Sequence, residues 1–422
     1  MREIAAAVIF LATATVIVAR PPRVPEWLAA SAGVAAMVAV GIESVNDVVR
    51  AAATQWDVLL FFAGLMTIIA VAEFAGFFTW SAALAARAAQ GSSRRLFVIL
   101  MIACAVITAL LTNDAAALVM TPLVFSLASQ LRLRPLPYAL ACTFVANGAS
   151  LLLPISNPVN VMIGESAHLP LRQFIGLLWL PSLLAGGLTA GSLWFAFGHG
   201  LRRRFDETRI APFDGDPRYR SEVAAMLLLT AFGLVAVTAA DGFVGVAACV
   251  AAAIMGAHGA LRRRLDARQV LRNANPTIVI LVAALFALAE GLLKSGLLAA
   301  PLTAVVAFSG KHPGLAAPLT ALASAAGSNV FNNLPTAALV SVALRHASMT
   351  TAVAHRIAAG AMVGCDLGPN FTTVGSLSTL LWVVLLRRRG LEISPLEYAR
   401  AGLLVAPLAV AASVVALFVT AR

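Results

Sequence analysis

The sequence predicts an all-α polytopic membrane protein built as two inverted repeats: about ten transmembrane helices and two re-entrant helical hairpins, with interrupted helices at the midplane of the bilayer. Three observations predict it. Of the 422 residues 60% are hydrophobic and only 12% charged, with a mean hydropathy of +0.91; a soluble domain averages about 25% charged residues. Runs rich in Val, Ala and Leu recur at the length a spanning helix needs, and the alternation of a membrane barrel is missing. Finally, one polar stretch occurs twice. Leu-Thr-Asn-Asp at 111–114 is followed by Asn147-Gly-Ala-Ser-Leu-Leu-Leu-Pro-Ile-Ser-Asn-Pro-Val-Asn160. Asn-Asn-Leu-Pro-Thr at 332–336 is followed by Asp366-Leu-Gly-Pro-Asn-Phe-Thr-Thr-Val-Gly-Ser-Leu-Ser-Thr379.

In chain order, spanning segments fall near 4–19, 26–42, 57–80, 136–164, 173–198, 222–240, 242–260, 275–296, 356–386 and 397–420. The first is followed by Arg20-Pro-Pro-Arg23 without a small-residue cleavage site, so it reads as a retained helix rather than a signal peptide. Two apolar stretches remain, 96–130 and 313–344, each broken near its middle by Asn113 or Asn333. Each is expected to enter the membrane and return to the same side. That arrangement collects 21 Lys and Arg in the loops of one side and 7 on the other. The basic side is then cytoplasmic and both termini lie outside. The net charge of +11 is thereby topological, because the arginines sit in short loops; no nucleic-acid partner is expected. The expected division is 1–53 N-terminal helices, 54–199 first transport repeat, 200–222 cytoplasmic linker, 223–272 connecting helices, 273–386 second transport repeat and 387–422 C-terminal helix. The linker carries Arg202-Arg-Arg204 and Asp214-Gly-Asp216, mixed charges that suit a solvated loop. An odd number of crossings between the two motifs makes the second copy inverted.

Lipid tolerates irregular backbone only where it lines a protein cavity. Interrupted segments at matching positions of two halves mark the midplane site of a secondary transporter. Five ionisable residues lie inside apolar segments: Glu73, Asp114, Glu290, Lys294 and Asp366. Glu290 and Lys294 are one helical turn apart and are expected to pair; Glu73 is expected at the cytoplasmic end of its helix. Asp114 and Asp366 fall within the motifs. A carboxyl group buried without a cation can take and release a proton near neutral pH, so these two are the candidates for proton coupling; capping a half-helix is the structural alternative. The amides and hydroxyls around them, Asn113, Asn157, Asn333, Asn370, Thr372 and Ser376, are the candidates for substrate hydroxyls. Neutral donors and acceptors beside two acids, with no arginine at the motifs, disfavour a dicarboxylate. They suit a small neutral polyhydroxy solute or a cation. The four cysteines are scattered without a C-x-x-C, so each is expected to be a small buried residue, Cys365 included. No metal site or cofactor is expected. Neither H-E-x-x-H nor G-x-S-x-G occurs, which argues against an enzyme.

The same residues carry a resemblance over almost the whole chain. Leu-Thr-Asn-Asp at 111–114, Ser-Asn-Pro-Val-Asn at 156–160 and Asn-Asn-Leu-Pro-Thr at 332–336 are similar to the arsenite efflux permeases, the ArsB family of the wider ion transporter superfamily. Gly-Cys-Asp-Leu-Gly-Pro-Asn at 364–370, with Thr372, Val374-Gly-Ser376 and Leu380-Leu-Trp382, is the most specific part. The resemblance implies export of trivalent arsenic and antimony as As(OH)3 and Sb(OH)3, by proton antiport, across a bacterial or archaeal cytoplasmic (inner) membrane. It also implies an optional cytoplasmic arsenite-stimulated ATPase partner. The alternative within the superfamily is a Na⁺/H⁺ antiporter. Dicarboxylate relatives carry Ser-Asn-Thr in both repeats; Ser156-Asn157-Pro158 and Gly375-Ser376-Leu377 stand here.

Overall fold

The structure is a computed structural model that describes residues 2–19, 24–201, 204–209, 216–240, 242–262, 268, 270, 274, 276–297, 304, 308–309, 311–373, 375–387 and 389–421. Arg20, Arg23, Arg202, Arg203, Asp214 and Val374 lie outside the described residues. Among those described, every named element is helical.

The first half runs α1 Arg2–Ala19, α2 Glu26–Ala39, α3 Val45–Thr54, α4 Trp56–Phe74 and α5 Phe77–Ala88. The first hairpin follows: α6 Ser93–Leu110, a break at Leu111 and Thr112, then α7 Asn113–Ala115, a π-helical turn Ala116–Met120 and α8 Thr121–Gln130. The interrupted helix is α9 Pro135–Ala149, the 3₁₀ turn Pro154–Ser156 and α10 Pro158–Ser166, and α11 Leu171–Phe197 closes the half. The second half repeats the order: α12 Pro217–Ala239, α13 Val244–Leu261 and α14 Thr277–Lys294 lead to a hairpin of α15 Pro313–Phe331 and α16 Asn333–His346. Its interrupted helix is α17 Thr351–Leu367, the 3₁₀ turn Gly368–Phe371 and α18 Leu377–Arg387, and α19 Pro395–Thr420 ends it. Seven of these helices are individually long and apolar enough to cross a membrane: α4, α6, α11, α12, α13, α14 and α19. Six are uninterrupted spans, and the seventh, α6, is a hairpin arm. The remaining crossings are made by α1, the shorter α2 and the two interrupted helices, whose pieces are too short alone.

Two expectations change. The span expected over 57–80 ends at Phe74, because Gly76 takes φ +70 and starts a separate helix, α5, over residues expected partly as loop. Glu290 and Lys294 do not pair with each other. Lys294 reaches Asp47 of α3 at 2.5 Å, while Glu290 lies 3.8 Å from His346 of α16. A lysine at a helix end extends toward the polar boundary, where α3 offers a carboxylate that the helix's own turn cannot match. Asp216, expected in the linker, caps α12 by accepting from the Arg218 and Tyr219 N–H groups. Glu73 is exposed at the end of α4.

The helices pack through small residues. Gly64 of α4 lies against the Ala248 backbone of α13, and Gly360 and Gly364 of α17, with Gly368 in the turn after it, lie against Ala317, Ala321 and Ala325 of α15. Spaced four apart, these let two backbones meet, which is how helices associate where no water drives them together.

A local pH effect arises at the α2–α3 connection. Glu43 is buried there, and neither carboxylate oxygen has a hydrogen-bond partner. Burial pushes its carboxyl up to about 7, with Lys294 opposing and Asp47 and Glu290 reinforcing. Asp47 is held well below the usual carboxylate range, first by its hydrogen bond from Lys294 and then by the Ser44 N–H. Between pH 4.5 and about 7 the folded protein therefore binds more protons at Glu43 than the unfolded chain does. Stability should fall as pH rises through that window. Asp47 acts in the opposite sense, but only below its ordinary value. We expect the melting temperature in detergent to drop across the window and Glu43→Gln to flatten the slope; a wild-type slope of opposite sign would contradict the assignment.

Candidate functional site

The polar positions of both motifs meet inside the bundle. Asp366, in the last turn of α17, lies at the N-terminus of α10, the other repeat's half-helix. Its Oδ1 accepts from Asn157 Nδ2 at 2.6 Å, and its Oδ2 accepts from Ser150 Oγ at 2.6 Å and Asn160 Nδ2 at 3.2 Å. Asn157 serves both sides, because its Oδ1 accepts from the Val159 N–H and so caps α10. The positive end of α10 faces the carboxylate. Asp366 is thus not the helix cap that the structural alternative supposed; Asn157 is.

A second set of amides continues from there. Ser150 Oγ also lies 2.8 Å from the Asn147 carbonyl, and Asn147 Nδ2 donates to Asn370 Oδ1 at 2.9 Å. Asn113 Nδ2, at the bend of the first hairpin, reaches Asn147 Oδ1 and Ser378 Oγ, both at 3.5 Å. Ser378 stands 2.6 Å from Ser376, which Asn333 Nδ2 of the second hairpin approaches at 3.5 Å. The Asn333 N–H donates to the Gly375 carbonyl at 2.8 Å. Both hairpin bends therefore touch the break of the second interrupted helix, and the first bend also touches Asn147 at the end of α9. The second bend is strained: Asn332 holds φ +80, a conformation that favours glycine, with its side chain accepting from the Leu334 N–H. The first bend instead carries the π-helical turn, a feature common at functional sites.

Of the candidates for substrate hydroxyls, Asn113, Asn157, Asn333, Asn370 and Ser376 join this network, and all are buried. Thr372 stands apart: its hydroxyl donates to Asn329 Oδ1 at 2.8 Å, and Asn329 in turn donates to the Gly368 carbonyl. Asp114 is buried directly beside Asn113 in the first turn after the bend. Asn147, Ser150 and Asn160 belong to the network as much as those five do, and their polarity within an apolar run was the signal for them. Ser378 had only its spacing of two from Ser376 to mark it.

The network is incompletely satisfied. Asn113 Oδ1, Asn160 Oδ1, Asn333 Oδ1 and Asn370 Nδ2 are buried without a hydrogen-bond partner. Each such atom costs about 1–3 kcal/mol. Four in one cluster make a set of three acceptors and one donor open to a hydroxylated guest. Cys365, beside Asp366, is buried, and no group of three or more His, Cys, Asp or Glu able to hold a metal ion occurs among the described residues. The cysteines are less scattered in space than in sequence: the Cys104 thiol donates to the Cys142 carbonyl at 3.2 Å. Cys249 is only half-buried.

A cleft of about 490 Å³ approaches the network from one side. Asn160, Pro154, Asp57, Glu165, His168 and Arg345 are among the residues that line it. Arg345 was not foreseen near the site. It is half-buried and donates from Nε to Ser166 Oγ at 3.1 Å.

Two hairpins and two interrupted helices converging on buried amides define a multi-pass membrane transporter. The chain belongs to the CitMHS family, described as citrate transporters, whose profile matches residues 8–364. It is similar to the arsenical pump membrane protein of Escherichia coli, 26% identical over 404 residues that make up 94% of each chain. The arsenical pump membrane protein of Yersinia enterocolitica is also 26% identical, over 90% of this chain and 89% of its own. The YdaH transporter of Alcanivorax borkumensis shares the fold, with a TM-score of 0.60 at 16% identity over 88% of this chain and 86% of that one.

Proposed function

We infer that this transporter exports trivalent arsenic and antimony, as As(OH)3 and Sb(OH)3, from the cytoplasm in exchange for protons. The observation that carries the reading is the cluster of unpaired neutral amide atoms around Asn147 and Asn370, with Asp366 at its edge. As(OH)3 offers three O–H donors and several oxygen acceptors and no charge, which matches three amide acceptors and one donor. The similarity to arsenical pump membrane proteins supports the same substrate class. In this reading Asn113, Asn157, Asn333, Asn370 and Ser376 hold hydroxyls, Thr372 steadies the break through Asn329, and Asp114 and Asp366 carry protons. A proton arriving from outside neutralises a carboxylate, weakens its hold on the amides and favours solute release. The membrane is the cytoplasmic one of a bacterium or archaeon. The arsenite-stimulated ATPase is an optional partner.

The family's description makes citrate the natural competitor. Three carboxylates would need cations around them, whereas the network supplies carboxylates of its own. Among the described residues, Arg345 is the one Lys or Arg lining the cleft that reaches Asn160. Arsenite uptake into everted vesicles with an imposed proton gradient tests the reading. Accumulation abolished by a protonophore supports it; its absence with folded protein, alongside Na⁺-dependent proton release, would install the cation antiporter instead. Because Cys365 is buried and, among the described residues, makes no hydrogen bond to the amides or to Asp366, Cys365→Ala is expected to change uptake by no more than about twofold. A loss of tenfold or more would make its thiol a ligand.

A further inference from the structure

The cleft contains a carboxyl pair that the proposed cycle does not use. Asp57, in the first turn of α4, accepts from the Gly245 N–H with both oxygens at 3.0 Å and from the Val246 N–H at 3.2 Å. These are orphan donors at the start of α13, so Asp57 sits where a helix terminus favours negative charge. The fit is close: a Cβ on Gly245 would fall 1.9 Å from the Asp57 carbonyl oxygen. Asp57 is thus engaged as an acceptor at the start of α13. Glu165, half-buried at the end of α10, lines the same cleft as Asp57. Two carboxyl groups sharing one site repel unless one of them holds a proton. Asp57 faces three backbone N–H contacts, which makes Glu165 the group placed to hold and donate it.

We propose that Glu165, sharing a cleft with the helix-capping Asp57 and with Arg345, is a proton-loading site in the cleft that leads to Asn160 and Asp366. Protonated, Glu165 donates to Asp57. Having released its proton to water in the cleft, it is repelled by Asp57 and drawn to Arg345, which is in electrostatic reach of both Glu165 and Glu290. Arg345 holds Ser166, the next residue of α10, so the exchange of partners pulls on the half-helix whose other end binds Asp366. The charged and titratable groups around Glu165 are Asp57 from α4, Arg345 from α16 with Glu290 of α14 behind it, and His168 in the connection after α10, whose carbonyl lies 3.3 Å from His355 Nε2 of α17. By the charge distribution of the loops, the mouth beside His168 and Gly242 faces away from the cytoplasm, the side from which protons enter.

This role rests on the proton-coupled reading, but its first test does not. In purified protein carrying Glu43→Gln, which removes a buried glutamate whose carboxyl oxygens have no hydrogen-bond partner, infrared spectroscopy at neutral pH should show a protonated carboxyl band assignable to glutamate by isotopic labelling. Adding Glu165→Gln should remove that band, whereas Asp366→Asn should not. In vesicles, Glu165→Gln should lower proton-driven arsenite accumulation by roughly tenfold or more and flatten its pH profile, with Glu165→Asp restoring part of both. An unchanged carboxyl band, or an unaltered pH profile in Glu165→Gln, would overturn the proposal. Should the glutamine variant not fold, the labelled Glu43→Gln protein still decides: without a protonated glutamate band, Glu165 carries no proton. Failure of the unsubstituted protein to accumulate arsenite would count against the transport reading alone, since the band would still report on Glu165.

Discussion

Asp366→Asn is expected to abolish proton-driven arsenite accumulation in everted vesicles, by at least about 100-fold, in membranes that contain normal amounts of folded protein. The carboxylate gathers Ser150, Asn157 and Asn160, three donors from the other repeat. An amide in its place brings its own N–H groups to oxygens and nitrogens that already donate, so at least one pair becomes donor against donor. A hydrogen bond to a charged group contributes about 1.5–3 kcal/mol, and about 2.7 kcal/mol corresponds to 100-fold. In the proposed cycle the substitution also removes a group that carries the proton. Asp366→Glu keeps the charge and should recover part of the activity, which separates loss of the proton from loss of the fold. Retained, protonophore-sensitive accumulation in Asp366→Asn would take Asp366 out of the coupling scheme.

Gly364→Ala should cost about 3 kcal/mol or more, although it adds one methyl group. Its Cβ would fall 2.2 Å from the Ala321 carbonyl oxygen, 2.7 Å from the Ala325 nitrogen and 2.8 Å from Ser324 Cβ. The first two are backbone atoms of α15, so no rotamer change can make room. The helices must separate, and with them Cys365 and Asp366 shift away from α10. Gly176→Ala in α11 is the matched control, because nothing lies within 4 Å of its Cβ. Melting of the two variants in detergent gives the comparison: a large drop for Gly364→Ala and little change for Gly176→Ala. Equal melting temperatures would mean that the two backbones do not meet as described.

What the sequence could reveal follows from which signals are local. Asn113 and Asn333 inside apolar runs, and Pro and Asn clusters at 147–160 and 366–379, break helices wherever they occur, so the hairpins and interrupted helices were legible. Helix α3 was missed although Ser44 and Asp47 form a capping box, because the helix is short and lies between two strongly apolar runs. The Glu290–Lys294 pairing followed from the i, i+4 rule and failed because Asp47, distant in sequence, lies closer in space. Asp57 and Glu165 went unremarked for a related reason. Each sits near the end of an apolar segment, where a charge is unremarkable, and only the packing of α4, α10 and α13 brings them together. The amides were recognisable as a group, but which of them would face Asp366 depends on the register between repeats, which no single segment encodes.

The cross-repeat bonds also set a schedule for the protein's birth. Asn160 waits for a partner 206 residues further along the chain, and Asn147 for one 223 residues away. At ribosomal speeds of about 5–20 residues per second, the first repeat spends roughly 10–45 s in the bilayer without the cross-repeat partners of Asn147, Asn157 and Asn160. During that interval its half of the site must be sheltered by water, by lipid headgroups or by the insertion machinery. A chain truncated after α11 would remain in that exposed condition and should be a preferred substrate for membrane quality-control proteases.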